Sequence, residues 1–237
     1  MNLNRLRERV NKLKSMTINE AWCGWMVDDV AAMLYAMVKH TQPDIIIQTG
    51  HLWGKSAVVA MEAMDDDFLR TQSNRIESEE PYSKDQTFYM FVTGRAPHPK
   101  SKRFISIDPL PLAGEAPINF IKEIYPFYEF YPTHSQHFFA KEKAALVNYC
   151  ADKTLFGIVD GDHSVAGCTH DLVQLADLGA SYIVVDDTRW LPPLGLATRK
   201  FAADKGYDLI ELPSYNGIVW LSKLTPPEPS PAVVPGR

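Results

Sequence analysis

Cysteine is nearly absent from this chain: Cys23, Cys150 and Cys168 are the only three in 237 residues. They stand far apart and form no Cys-x-x-Cys pair, which removes the usual spacing of a zinc site and argues against a disulfide framework. A reducing compartment is the expectation. Long hydrophobic runs are missing as well. No apolar stretch reaches the ~20 residues that a membrane-spanning helix needs. The opening segment MNLNRLRERVNKLKSM lacks the apolar core of a secretory signal, so the cytoplasm is the expected location. Positive charge is not in excess either. Lys and Arg number 24 against 29 Asp and Glu, for a net charge of -5 and a pI near 5.8. That balance disfavours a nucleic-acid partner. What remains is 46% hydrophobic and 22% charged residues with no internal repeat, the make-up of a globular α/β domain with room for a sizeable core.

The pattern along the chain divides it into a helical segment at 1–42, a main domain at 43–223 and a Pro-rich tail at 224–237. Residues 1–16 read as a charged helix. A second helix over 18–40 is expected from a capping-box spacing at Thr17 and Glu20 and from apolar positions at helical intervals, Trp22, Trp25, Met26, Val30, Met33, Leu34 and Met37. Such a stripe suits a core contact or a homodimer face. Beyond Pro43 come short apolar runs: 44–48, 104–108, 128–131, 155–160 and 181–186. Continuous runs of this kind suit strands covered on both faces of a parallel sheet. Helical stretches at 54–64, 115–125, 137–149 and 165–179 alternate with them. The alternation predicts a doubly wound, Rossmann-like, mostly parallel sheet of seven strands. Strands at 207–212 and 217–223 close it as an antiparallel edge hairpin. The polar stretch 65–102, with Pro81, Pro97 and Pro99, breaks the alternation and reads as a lid, an interface element or disorder. The five prolines in 224–237 read as a disordered tail.

Ligands of such sheets bind at the carboxyl ends of the strands. The first strand ends in Gln48-Thr49-Gly50-His51-Leu52-Trp53-Gly54-Lys55-Ser56. A phosphate-binding P-loop needs four residues between its glycines, and here there are three, His51, Leu52 and Trp53. The GxGxxG of a dinucleotide site is absent too, which counts against a nicotinamide-dependent oxidoreductase. Asp108 ends the second strand, where a carboxylate accepts ribose hydroxyls or caps a turn. The fourth strand runs into Asp160-Gly161-Asp162-His163-Ser164 and the fifth into Asp186-Asp187-Thr188. Singly, each aspartate reads equally well as a cap. Together at adjacent strand ends, the two groups repel unless a cation or protons intervene. Their oxygens suit a hard ion, Mg2+ with Ca2+ or Mn2+ as alternatives, and Asp162 or His163 is then the candidate base.

Over residues 44–223 the order of these pieces resembles the class I S-adenosylmethionine (SAM)-dependent methyltransferases. It is most similar to the metal-dependent small-molecule O-methyltransferases, including the cephalosporin-hydroxylase-like and macrocin O-methyltransferase-like groups. The stretch Phe156–Ser164, Asp171 on the next helix, and Ile183–Thr188 carry the likeness. The resemblance implies SAM held by Gln48, Gly50, Gly54, Ser56 and Asp108, with Ser135 near the adenine. It implies a divalent metal, Mg2+ first, on Asp160, Asp186 and Asp187, and Asp162 or His163 as the base. The implied acceptor is a small hydroxylated molecule. Two positions depart from the family pattern: Gln48 replaces an acid, and His134 stands where an aspartate is common. A metal-dependent hydrolase and a non-catalytic SAM-binding protein are the rival readings.

Overall fold

The computed structural model describes residues 3–16, 26, 28–64, 102–109 and 115–223. The expectations for 65–101 and 224–237, and for Thr17, Glu20, Trp22 and Trp25, lie outside the described residues. Seven strands form one sheet: β1 (Ile45–Thr49), β2 (Arg103–Ile107), β3 (Tyr128–Tyr131), β4 (Leu155–Val159), β5 (Tyr182–Val185), β6 (Asp208–Leu212) and β7 (Ile218–Ser222). Their order is β3-β2-β1-β4-β5-β7-β6. The pairings from β3 to β5 are parallel, and β7 runs antiparallel to both β5 and β6.

Alternation within the strands sorts side chains onto two faces. Ile46, Phe104, Phe156 and Ile158 enter one core, shared with α1 (Leu3–Met16), α2 (Asp28–Thr41), α3 (residues 55–64) and α4 (Glu115–Ile124). Ile45, Ile47, Ile105 and Val159 enter the other, under α5 (Ser135–Cys150), α6 (Val165–Asp177) and α7 (Pro192–Lys205). Helices thus cover both faces, as the continuous apolar runs require. Among the described residues no helix is long and apolar enough to cross a membrane.

Helix α7 has no counterpart among the helices read from the sequence. Its opening Pro192-Pro193 looks like a breaker, yet proline is at home in the first turn of a helix, and Gly206 in a left-handed conformation (φ 70°) stops it. Its buried side includes Leu194, Gly195, Thr198, Phe201 and Ala202, too mixed in polarity to show as an apolar stripe.

Helix α1 is fastened by a buried carboxylate. Glu62 on α3 accepts from Arg5 Nε at 2.8 Å, and also pairs with Arg9 and with the Tyr125 hydroxyl. Glu62 has 3% of its side chain exposed, whereas the two arginines keep 19% and 22%. Loss of one partner of a buried pair leaves the other uncompensated, tempered here by the solvent reaching the arginines. Glu62→Ala is therefore expected to cost about 2 kcal/mol of stability, read from urea unfolding midpoints.

Candidate active site

The site follows from strand register. Thr49 pairs with Ile107 on one side and Val159 on the other, and Val159 pairs with Val185. The next residues, Gly50, Asp108, Asp160 and Asp186, therefore emerge side by side along one edge of the sheet. From β1 the chain steps outward to β2 and β3, and from β3 it returns to β4 on the other side of β1, and this reversal of strand order opens a crevice at that edge. A cavity of about 500 Å3 occupies it, lined by these four residues and by Ser135, Asp162, His163 and Asp187 among others. That volume is in the range of small-molecule sites.

The floor is built backbone to backbone. Gly50 has φ 83°, and a Cβ placed on it would lie 1.9 Å from the carbonyl oxygen of Asp160. The ladder continues past the strands through Gly50 N–H to the Ile107 carbonyl at 2.9 Å and Asp160 N–H to the Thr49 carbonyl at 3.0 Å. Asp108 braces the glycine loop, its Oδ2 accepting the backbone N–H groups of His51 at 2.8 Å and Leu52 at 3.0 Å. Leu52 is held at φ 45°, a costly conformation for a bulky side chain.

Three of the residues expected at the cofactor do not line the main cavity. Gln48 is fully buried, donating from Nε2 to Ser56 Oγ at 2.7 Å and to the Gly50 carbonyl. Those contacts make Gln48 and Ser56 an internal brace of the loop. A carbonyl only accepts, so an ionised acid at position 48 would have nothing to offer Gly50. Gly54 (φ 81°) turns the chain into α3, packed against Ile121 and the His51 ring. His51 is buried with Nδ1 2.9 Å from Ser106 Oγ, and burial pushes its pKa down to about 4. It is a neutral packing group.

The acidic residues gather on the other side. His163 Nε2 lies 3.4 Å from Asp187 Oδ2 and 3.8 Å from Asp160 Oδ1. Both separations exceed ordinary hydrogen-bond length, so the attraction is one of charge. Asp160 above all, with Asp187 and Asp186 behind it, lifts the His163 pKa above 6.5 against the opposing effect of partial burial. Burial raises the pKa of Asp160, and Asp108 adds to the shift. Burial and then Asp160 raise Asp187, which sits at φ 58° with a buried Oδ1 that has no hydrogen-bond partner. Asp160, His163 and Asp187 each offer one ligand atom, all within 4.8 Å of one another. An orphaned carboxylate oxygen in a convergent set of this kind fits a divalent cation.

Asp186, expected as a third carboxylate ligand, is absent from that set among the described residues. It lines the cavity, but its Oδ1 accepts the backbone N–H of Asp187 at 2.8 Å. Burial first, and Asp160 next, push its pKa up to about 8. The folded protein then holds a proton that the unfolded chain releases near pH 4. Native stability must fall as pH rises through that window. Asp186→Asn keeps the acceptor and removes the charge. It is expected to raise the metal-free melting temperature at pH 8 by about 5 °C, with a smaller gain at pH 5. Equal gains at both pH values in scanning calorimetry would refute the charge as the cause.

Both candidate bases line the cavity, but Asp162 is also engaged in a local turn. Its Oδ1 accepts Ser164 N–H at 2.9 Å, and its carboxyl lies over Gly167, where a Cβ would sit 2.2 Å from Oδ2. Asp162 thus shapes the start of α6, while His163 faces the acids. Asp171 is fully buried and lines the same cavity, with Oδ1 3.1 Å from His170 Nδ1. Sequence reading missed Asn216, which lines the cavity and opposes the rise of the Asp187 pKa, and whose carbonyl accepts from Arg189 and Trp190 N–H, both at 2.8 Å. Only its place in an Asn-Gly turn before β7 could have drawn notice. Trp190 lines the cavity with 65% of its surface exposed.

No protein-family model matches the sequence, and no curated protein matches it. Solved structures match in fold. The S-adenosylhomocysteine-bound methyltransferase PaMTH1 of Podospora anserina is 12% identical with a TM-score of 0.58, over 93% of this chain and 88% of that one. The O-methyltransferase TomG of Streptomyces achromogenes, involved in tomaymycin synthesis and bound to SAM, is 12% identical with a TM-score of 0.57, over 92% and 88%. An O-methyltransferase from Bacillus cereus in complex with S-adenosylhomocysteine is 13% identical with a TM-score of 0.56, over 93% and 91%. The fold is therefore the Rossmann-like one of class I SAM-dependent methyltransferases. Within that class it is the O-methyltransferases that it resembles.

Proposed function

We propose that the chain transfers a methyl group from SAM to a hydroxyl oxygen of a small molecule, with a divalent cation at the acidic cluster. One observation carries this reading. His163, Asp160 and Asp187 converge in the same cavity that Asp108 and Gly50 line. The cavity fits the cofactor in size, and Gly50 keeps its floor clear of side chain. SAM held there would supply a methyl group on a positively charged sulfur for transfer to the acceptor oxygen.

The residues divide the work by chemistry. Asp108 accepts hydroxyl donors of the ribose, and Ser135 borders the adenine. Asp160 and Asp187 would hold the cation, Mg2+ or Mn2+ by their oxygen donors, with Asp186 beside them. A cation there would supply Lewis acidity that lowers the pKa of the acceptor hydroxyl. His163 takes the hydroxyl proton at Nε2, and cation charge on the neighbouring carboxylates favours the neutral imidazole that this requires.

Calorimetric titration with SAM, with and without Mg2+ or Mn2+, tests the reading together with transfer of labelled methyl to a panel of phenols and sugars. Micromolar SAM binding and metal-stimulated transfer are expected. Failure to bind SAM under either condition would sink the proposal, and tight binding without transfer to any acceptor would favour a non-catalytic SAM-binding protein.

A further inference from the structure

We propose that Lys55 is a positioning residue that sets cofactor affinity by fixing Met26 over the cavity. The proposal rests on SAM being the ligand of that cavity. In the sequence Gly54-Lys55-Ser56, a lysine would reach a phosphate if the loop were a P-loop. Here it does something else. Lys55 is 7% exposed, and its Nζ donates to the Met26 carbonyl at 2.6 Å and to Asp28 Oδ1 at 2.7 Å. The Asp28 side chain is 98% exposed, so solvent screens that contact. The contact with the Met26 carbonyl is the buried, charge-assisted one. An ammonium taken out of water needs such partners, which makes the link from the glycine loop to residue 26 costly to break.

Met26 is where the link acts. It is 7% exposed and lines the main cavity, and it also closes a small crevice between the glycine loop and Asp160. Lys55 opens α3 directly after the loop that shapes the floor, while Met26 comes from a different part of the chain, ahead of α2. The ammonium therefore joins two walls of the cavity. Without it, residue 26 must be ordered when the ligand binds, at the cost of an immobilised side chain and its backbone.

Lys55→Gln tests this, with Lys55→Arg as the rescue. The first measurement is carbon-13 methyl NMR of the methionines in the ligand-free protein. The Met26 signal, assigned with Met26→Ala, is expected to collapse toward an averaged position in Lys55→Gln while the buried Met61 and Met64 signals stay. The second is SAM affinity by calorimetry at a temperature where both proteins are folded. Lys55→Gln and Met26→Ala should each weaken binding about fivefold to tenfold, the double variant no more than either, and Lys55→Arg less than twofold. Wild-type affinity in Lys55→Gln, additive losses in the double variant, or an unmoved Met26 signal overturns the proposal. Should Lys55→Gln fail to fold, wild-type affinity in Met26→Ala overturns it just as well. A wild type that binds no SAM defeats the methyltransferase reading, and the NMR comparison still decides whether Lys55 positions Met26.

Discussion

His163→Ala is expected to lower the turnover of methyl transfer by about 10^3-fold, with SAM affinity changed less than twofold. The imidazole meets Asp160 and Asp187 but lies apart from Asp108 and the glycine loop, so its loss removes a proton acceptor and leaves the nucleoside side intact. The pH profile gives a second readout. The carboxylates, Asp160 foremost, raise the His163 pKa above 6.5, and only the neutral ring accepts a proton. The acidic limb of kcat/KM should therefore lie above pH 6.5, and Asp160→Asn should move it downward. Raising the concentration of Mg2+ or Mn2+ should move it the same way, because a cation competes with the proton for the carboxylates' field. The same shift has a stability counterpart of known sign. The contribution of protonated His163 is full below about pH 6.5 and is lost as pH rises through its higher folded value. A variant with unchanged turnover, or a limb insensitive to Asp160→Asn, would remove His163 from the chemistry.

Gly50→Ala is expected to cost about 3 kcal/mol or more and to abolish SAM binding. Two effects add. The residue has φ 83°, where an L side chain is strained, and the new methyl would stand 1.9 Å from the Asp160 carbonyl oxygen. The obstructing atom is backbone at a central strand end, so no side-chain rotation relieves it. Gly206→Ala is the control: its φ is 70°, but no atom lies within 4 Å of a Cβ there. It should cost only the conformational part, about 1 kcal/mol. Comparable losses in thermal unfolding of the two variants would show that crowding against Asp160 is not the cause.

The sheet was legible because each buried strand is a short apolar run, and the acids that end β2, β4 and β5 mark its ligand edge. Register is set by cross-strand packing, so the side-by-side emergence of Gly50, Asp108, Asp160 and Asp186 had to come from the structure. Spacing alone treated Asp162 and His163 alike; the hydrogen bond from Ser164 N–H to Asp162 separates them. Asp186 and Asp187 likewise looked equivalent as neighbours, until the left-handed turn at Asp187 gave them different partners. Gln48 looked like a weakened cofactor contact, whereas its amide serves the loop from within. Helix α7 hid behind two prolines, and Asn216 acts through a fold contact that its Asn-Gly turn alone does not specify.

The contact between Gly50 and the Asp160 carbonyl has a consequence for how molecules come and go. Two central strands locked at their tips cannot part, so the base of the cleft has no stroke. Traffic of ligand must be governed from the sides, where the Met26 carbonyl meets the Lys55 ammonium and the Trp190 N–H meets the Asn216 carbonyl.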